Sequence, residues 1–173
     1  MPSPIGHALA GLIVHVAFSD RRDLSDWPRA AIAAGAACAP DLDLLLGVLS
    51  GRSQHRTFTH GIGAAVLCGL AAVVAARLLR WPRPEWLGSI VALAWASHLI
   101  LDLLGSDTHA PFGIMALWPI DPGWYKAPVV LFPDIGRTLS LSTVRQNAIA
   151  AAWEIVLLLP VLSGALWIRQ RKS

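Results

Sequence analysis

Charge is scarce in this chain: Asp, Glu, Lys and Arg make up only 14% of its 173 residues. That is too little to clothe the surface of an ordinary soluble domain. The basic excess, 14 Lys and Arg against 11 Asp and Glu, is dispersed in short clusters between apolar runs. With no single basic patch, a nucleic-acid-binding surface is excluded. Cysteine is scarcer still, with two residues. Cys38 and Cys68 stand in small-residue apolar runs without CxxC spacing, so they read as buried free thiols rather than a disulfide or metal ligands. The chain also lacks a low-complexity tract, an internal repeat and a linker long enough to divide it, so residues 1–173 read as one domain. No positive residue precedes the apolar run from Ile5 to Phe18, which contains two histidines; this run is expected to stay in the protein rather than leave as a signal peptide.

What the chain has instead is apolar sequence: 55% hydrophobic residues, eight tryptophans and a mean hydropathy of +0.55. The fold class expected is all-α, a multi-pass membrane bundle of about five helices, because a hydrocarbon core of ~30 Å takes roughly 20 helical residues to cross. Segments 60–80, 86–105 and 148–168 reach that length. Residues 4–18 are shorter, and 28–50 are interrupted by Ala39-Pro40-Asp41-Leu42-Asp43. A Pro/Gly-rich stretch, residues 105–147, reads as a long irregular outer loop.

If the helices alternate, Arg21, Arg22, Arg29, Arg77, Arg80, Arg83, Arg169, Arg171 and Lys172 share one side, and Arg52, Arg56, Lys126, Arg137 and Arg145 the other. The richer side is expected to be cytoplasmic. That places the protein in the inner (plasma) membrane with its N-terminus outside. Trp118, Trp124 and Tyr125 are then expected to seat the outer region at headgroup level.

The same topology brings His7, Asp41, Asp43, His55, His60, His98 and Asp102 to the outer leaflet, from separate helices. Charges at a bilayer edge cost ~2.5 kcal/mol or more and need partners. A divalent cation satisfies carboxylates and neutral imidazoles together, so a metal site is the economical reading. His98 and Asp102, at i and i+4, share one helical face and reach one ion. Asp41 and Asp43, two apart, point in opposite directions on a regular helix, and a kink at Pro40 turns Asp41 inward. Asp43 is left to orient a ligand or act as a base.

In Gln54-His55-Arg56-Thr57-Phe58-Thr59-His60 the histidines are five apart and cannot share a helical face. A turn with Thr59 as cap of a helix starting at His60 brings them together and offers that helix N-terminus, with Arg56, to an anion such as phosphate. Plainer alternatives stand beside these readings: a capping or interfacial His7, a helical His98–Asp102 hydrogen bond, N-capping by Asp41 or Asp43, and Arg56 on lipid headgroups. His15 reads as a packing residue. Asp107 and His109 are loop ligands or merely polar loop residues, and Glu154 is a candidate because it is an intramembrane carboxyl group.

Taken in order, GHALAG at 6–11, APDLD at 39–43, HRTFTHG at 55–61 and SHLILDLLGSDTHAPFGIMALWP at 97–119 resemble the YdjM-like membrane-bound metal-dependent hydrolase family. That family is similar in its His/Asp pattern to zinc-dependent phospholipase C and related nucleases. The resemblance implies that His98 and Asp102 are a His-x-x-x-Asp zinc-binding pair, that Asp41 is the separate carboxylate, and that His55 or His60 is its partner. Thr57 and Gly61 replace the family's usual Gly and Ser, and neither change removes a ligand. The DTHAPF segment is longer than the family's usual stretch, so His109 is not carried over.

The function expected is a membrane-embedded hydrolase that cleaves a phosphoester, in a lipid headgroup or lipid-linked phosphate, with water activated by one to three zinc-type ions. His7, Asp41, His55, His60, His98 and Asp102 are the expected ligands, and Arg56 the holder of the substrate anion. A transporter or proton relay using the same cluster, or a metal-stapled scaffold, are the alternatives. A relay requires polar residues at several depths; hydrolysis requires them gathered at one side.

Overall fold

Proline sets where several of the helices begin, because its fixed φ suits the first helical turn and its missing N–H costs nothing there. The computed structural model describes residues 1–18, 26–51, 55–108, 110 and 112–171. Its helices are α1 (Pro4–Phe18), α2 (Trp27–Cys38), α3 (Asp43–Ser50), α4 (Ile62–Leu78), α5 (Pro84–Leu103) and α6 (Leu141–Arg171), with 3-10 turns at Ala39–Leu42 and Phe58–His60. Among the described residues there is no strand, only isolated bridges pairing Gly105 with Phe132 and Ile114 with Tyr125.

Three expected spans change at their edges. The 28–50 segment is not one helix: at Pro40 the backbone tightens into the 3-10 turn and resumes as α3, where the Asp43 N–H reaches the carbonyls of Pro40 and Asp41. The 60–80 segment yields the 17 residues of α4, about 26 Å at 1.5 Å per residue, which is at the short limit for a span. In contrast, α6 runs 31 residues, about 46 Å, well beyond the hydrocarbon thickness. The irregular region therefore ends near Ser140 and not at 147. Hydropathy hides this because Ser142, Arg145, Gln146 and Asn147 are polar, yet the Ser140 hydroxyl accepts the Thr143 N–H at 3.1 Å in N-cap fashion.

Two helices, α5 and α6, are long and apolar enough to cross a membrane, and α1 and α4 are shorter apolar rods. The apolar surface is turned outward: Val66, Leu70 and Val74 on α4 and Val156, Leu159 and Val161 on α6 are exposed. His7, His15, His60, His98, Asp102 and Glu154 are buried. This reverses the plan of a water-soluble bundle and matches one whose solvent is lipid. Close approach of α4 and α5 depends on Gly69 and Gly88, since a Cβ on Gly88 would meet the Gly69 carbonyl oxygen at 2.6 Å.

Helix α1 packs against α2, α5 and α6, and α6 holds it at both ends. At the start of α1, the Glu154 carboxyl accepts the Ser3 N–H at 2.7 Å, the Gly6 N–H at 3.0 Å and the Ser3 hydroxyl. At the far end, Arg169 donates to the Val16 and Ala17 carbonyls at 2.9 and 2.6 Å. An acid at a helix N-terminus and a base at its C-terminus both complement the helix dipole. Gly6 permits the first contact, because a Cβ there would meet Glu154 Oε2 at 2.7 Å.

Candidate metal centre

At the end of the bundle where α1 begins and α5 finishes, four elements deliver five side chains to one point. His7 comes from the first turn of α1, Asp41 from the 3-10 turn after α2, His60 from the turn before α4, and His98 and Asp102 from the end of α5. His7 Nε2 is 3.6 Å from Asp102 Oδ1 and 4.0 Å from Asp41 Oδ2. His60 Nε2 lies 3.5 Å from Asp41 Oδ1 and 3.3 Å from Asp102 Oδ2. His98 Nε2 lies 3.7 Å from Asp41 Oδ1, 3.2 Å from Asp102 Oδ2 and 3.1 Å from His60 Nε2. Ligands about 2.0–2.1 Å from a tetrahedral ion stand about 3.4 Å apart, so these spacings are those of a coordination shell.

Hydrogen bonding pairs His60 Nε2 with His98 Nε2 and leaves most of the other converging atoms unserved. Both ring nitrogens of His7, Asp41 Oδ1 and both Asp102 oxygens are buried without a hydrogen-bond partner, the Asp102–His98 approach being of ion-pair distance without hydrogen-bond geometry. Buried lone pairs in that state cost ~1–3 kcal/mol each, and a cation relieves them together. The outer nitrogens are oriented for it. His98 Nδ1 is 2.8 Å from the Ala37 carbonyl oxygen; a carbonyl only accepts, so Nδ1 carries the proton and Nε2 the lone pair. His60 Nδ1 faces Thr59 Oγ1 at 3.0 Å and Asp43 Oδ2 at 3.3 Å, which turns its Nε2 to the centre.

Asp43 organises the turn that follows. Its Oδ1 pairs with His55 Nδ1 at 2.7 Å, and its Oδ2 accepts the Arg56 backbone N–H at 3.1 Å and the Thr59 hydroxyl at 2.7 Å. With both oxygens committed, Asp43 suits the orienting role and not that of a free base. Arg56 is held at a φ of 69°, a left-handed conformation costly for a side chain of its kind. Its N–H on Asp43 and its carbonyl, which accepts the Met115 N–H at 3.1 Å, hold it there. If a divalent metal such as zinc occupies the cluster, replacing Asp43 with Asn is expected to weaken its binding about 10- to 100-fold, as loss of an orienting partner does; zinc titration with a competing chelator measures it, and unchanged affinity would refute the role.

The six residues expected as ligands fall in two separate groups of three: ligand atoms of His7, His98 and Asp102 lie within 4.8 Å of one another, as do those of Asp41, His55 and His60. His55 stands at the edge, its ring edge-on to His60 and its Nε2 3.0 Å from Met1 Sδ.

The expected anion site at a helix N-terminus is not there. Helix α4 starts at Ile62, with Gly61 at its N-cap, and the Ile62 and Gly63 N–H groups donate to Ala116 and Trp118 carbonyls at 2.9 and 2.8 Å. Thr59 does not cap it, because its hydroxyl finds the buried Asp43 carboxyl instead. Arg56 donates from Nη1 to Asp107 Oδ1 at 2.6 Å, and Asp107 Oδ2 accepts the Gly113 N–H at 2.6 Å. Asp107 thus ties the loop to Arg56, and Glu154 caps α1, so neither joins the cluster. His109 lies outside the described residues. His15 is fully buried, its ring nitrogens without a hydrogen-bond partner, and stands apart from the other histidines. Cys38 is half-buried rather than buried, its thiol 3.4 Å from the Pro4 carbonyl.

Beside His55 and Arg56 opens a pocket of about 460 Å³, walled by the loop before α6 and by α6 itself, including Asp134, Arg137, Thr138, Thr143 and Gln146. Burial works against ionisation of Asp134, but hydrogen bonds from the Met1 amino group and Thr108, and the Arg56 charge, hold its carboxyl below the usual carboxylate range. Nothing in the sequence signals Ala37, which acts through a backbone carbonyl, or Arg137, which counts there only as a charge, and Thr59, expected to cap a helix, turns its hydroxyl to Asp43 instead.

Fold and site together define a helical membrane protein with a buried His/Asp cluster at one end of its bundle. The chain belongs to the YdjM inner membrane protein family, whose model matches residues 1–172. No curated protein and no solved structure matches it. The family description supports the membrane setting and names no reaction, and no likeness to phospholipase C emerges.

Proposed function

We propose that this protein is a metal-dependent hydrolase of phosphoesters whose centre lies where the bundle meets water. One observation carries the reading: three imidazole Nε2 atoms and two carboxyl groups converge in a buried site at coordination spacings, and His7 Nε2, Asp41 Oδ1 and both Asp102 oxygens there have no hydrogen bond. His7, Asp41, His60, His98 and Asp102 would hold the ion, with His55 at the margin. An imidazole-and-carboxylate set suits zinc. These residues would hold zinc where it could lower the pKa of a bound water toward ~7 and serve as a Lewis acid for a phosphoryl oxygen.

The chain's own residues supply the rest. Asp43 fixes His55 and His60, Ala37 fixes His98, and Arg56 faces the pocket in which a phosphoester would lie. Exposed Ile120 and Trp124 on the neighbouring loop suit a seat at headgroup level, which favours a lipid-borne or lipid-linked substrate. The charge bias of the loops supports an extracytoplasmic site. Apart from His15, the buried histidines and Asp102 gather at one end, whereas a relay through the membrane requires polar groups along its depth.

The test joins metal analysis of the purified protein to hydrolysis assays on phosphomonoesters and phospholipids, for the native chain and for His98→Ala/Asp102→Ala. Native protein is expected to carry zinc and turn over a phosphoester, and the double variant to do neither. Full metal content in the variant would refute the ligand set. Metal-dependent folding with no turnover would point to a scaffold.

A further inference from the structure

The Met1 sulfur occupies an unusual position. Arg56 Nε approaches it at 2.8 Å, His55 Nε2 at 3.0 Å and Arg137 Nη2 at 3.6 Å. Thioether sulfur is neutral and a weak acceptor, yet two guanidinium groups on separate loops aim donors at it. Separations of 2.8–3.0 Å are those of a nitrogen donor on oxygen, so the spot is sized for an oxygen atom. Arg137 is exposed, and the contact its guanidinium makes is this thioether and not a carboxylate. Asp134, the acid in the pocket wall, is already engaged by Thr108 at 2.5 Å and by the Met1 amino group at 2.8 Å.

We propose that the point held by the Met1 sulfur is the subsite for a phosphate group, that the Met1 side chain gives way to it, and that Arg137 is the residue that recognises it. Arg137, with its planar donor fork, and Arg56, through the Nε that faces this point while its Nη1 stays on Asp107, then present two guanidinium groups to phosphate oxygens. Arg56 joins this subsite to the metal centre, since its backbone N–H rests on the same Asp43 oxygen that faces His60. The pocket behind, with Thr138, Thr143 and Gln146 in its wall, receives the polar group esterified to that phosphate. The phosphoester reading above supplies the identity of the anion; the two converging guanidinium groups are independent of it.

Binding of inorganic phosphate to the full chain, stripped of metal with chelator and held in detergent, is the direct test. Native protein is expected to bind it, Arg137→Gln to bind at least about tenfold more weakly, as loss of a charge-assisted bond implies, and Arg145→Gln to match the native chain. Arg145 is an exposed charge of α6 that does not line the pocket, so it controls for net charge. Equal binding by Arg137→Gln and native protein, or no binding by native protein, would overturn the subsite. Competition by glycerol phosphate, set against retention on phosphatidylcholine vesicles containing phosphatidic acid, shows whether a soluble or a lipid-borne phosphate is preferred; competition by neither refutes the subsite. Phosphate binding in a protein that takes up no metal would keep the subsite and defeat the hydrolase reading. Metal uptake and turnover without Arg137-dependent binding would do the reverse.

Discussion

Asp102→Asn is expected to abolish the stabilisation that the proposed zinc site would confer. For the native chain, zinc at about a hundred times its Kd would stabilise the folded state by about 2.7 kcal/mol, which for a chain of this size would raise Tm by roughly 5–10 °C. The Asp102 carboxyl faces the Nε2 atoms of His7, His60 and His98 at 3.2–3.6 Å, and neither of its oxygens has a hydrogen bond. Asparagine keeps its shape, but loses the anionic oxygen that a hard-edged divalent ion selects. Thermal unfolding in detergent, with zinc and with chelator, makes the comparison. The expected result is a chelator-sensitive Tm for the native chain and an indifferent one for the variant. An equal zinc shift in both would remove Asp102 from the coordination shell.

The second large effect is structural and arises at the start of α1, where α6 packs against it. Glu154→Ala leaves the Ser3 N–H, the Ser3 hydroxyl and the Gly6 N–H without their acceptor in a buried site. At ~1–3 kcal/mol for each abandoned donor, and with incomplete additivity, the loss is about 3 kcal/mol or more, or a fall in Tm of roughly 6–12 °C. Glu154→Gln, which keeps one accepting oxygen, is expected to fall between. Because Gly6 precedes His7, loosening this turn also weakens metal binding, and the two readouts are expected to fall together across native, Gln and Ala. An Ala variant with native Tm would show that the cap is dispensable.

How far the site could be read from sequence depended on whether local geometry alone determined it. The shared His98–Asp102 face follows from helical periodicity, whereas Asp41 and Asp43, expected to point apart on a regular helix, straddle the end of a 3-10 turn and meet opposite nitrogens of the one His60 ring. The break at Pro40 was legible for the same reason. The role of Glu154 was not, because its partners are backbone N–H groups some 150 residues away, which no side-chain pattern announces. Thr59 looked like a cap, since a hydroxyl beside a helix start usually is one, but a buried carboxyl nearby was the better acceptor. Hydropathy located the apolar part of α6 and missed its polar first two turns. Arg137 carried no signal at all, as its place depends on how the loop after α5 folds back against α6.

The wide spread of the cluster along the chain has a further, mechanical consequence. Its five side chains come from four elements separated by loops of roughly 20 to 40 residues. An ion bound there acts as a cross-link, and closing loops of that length restricts the unfolded chain as a disulfide does, by about 3–4 kcal/mol on the chain-entropy view. The two cysteines are both free. Coordinate bonds would thus take the place of covalent ones, and would fasten the bundle at the end where α1 begins and α5 finishes.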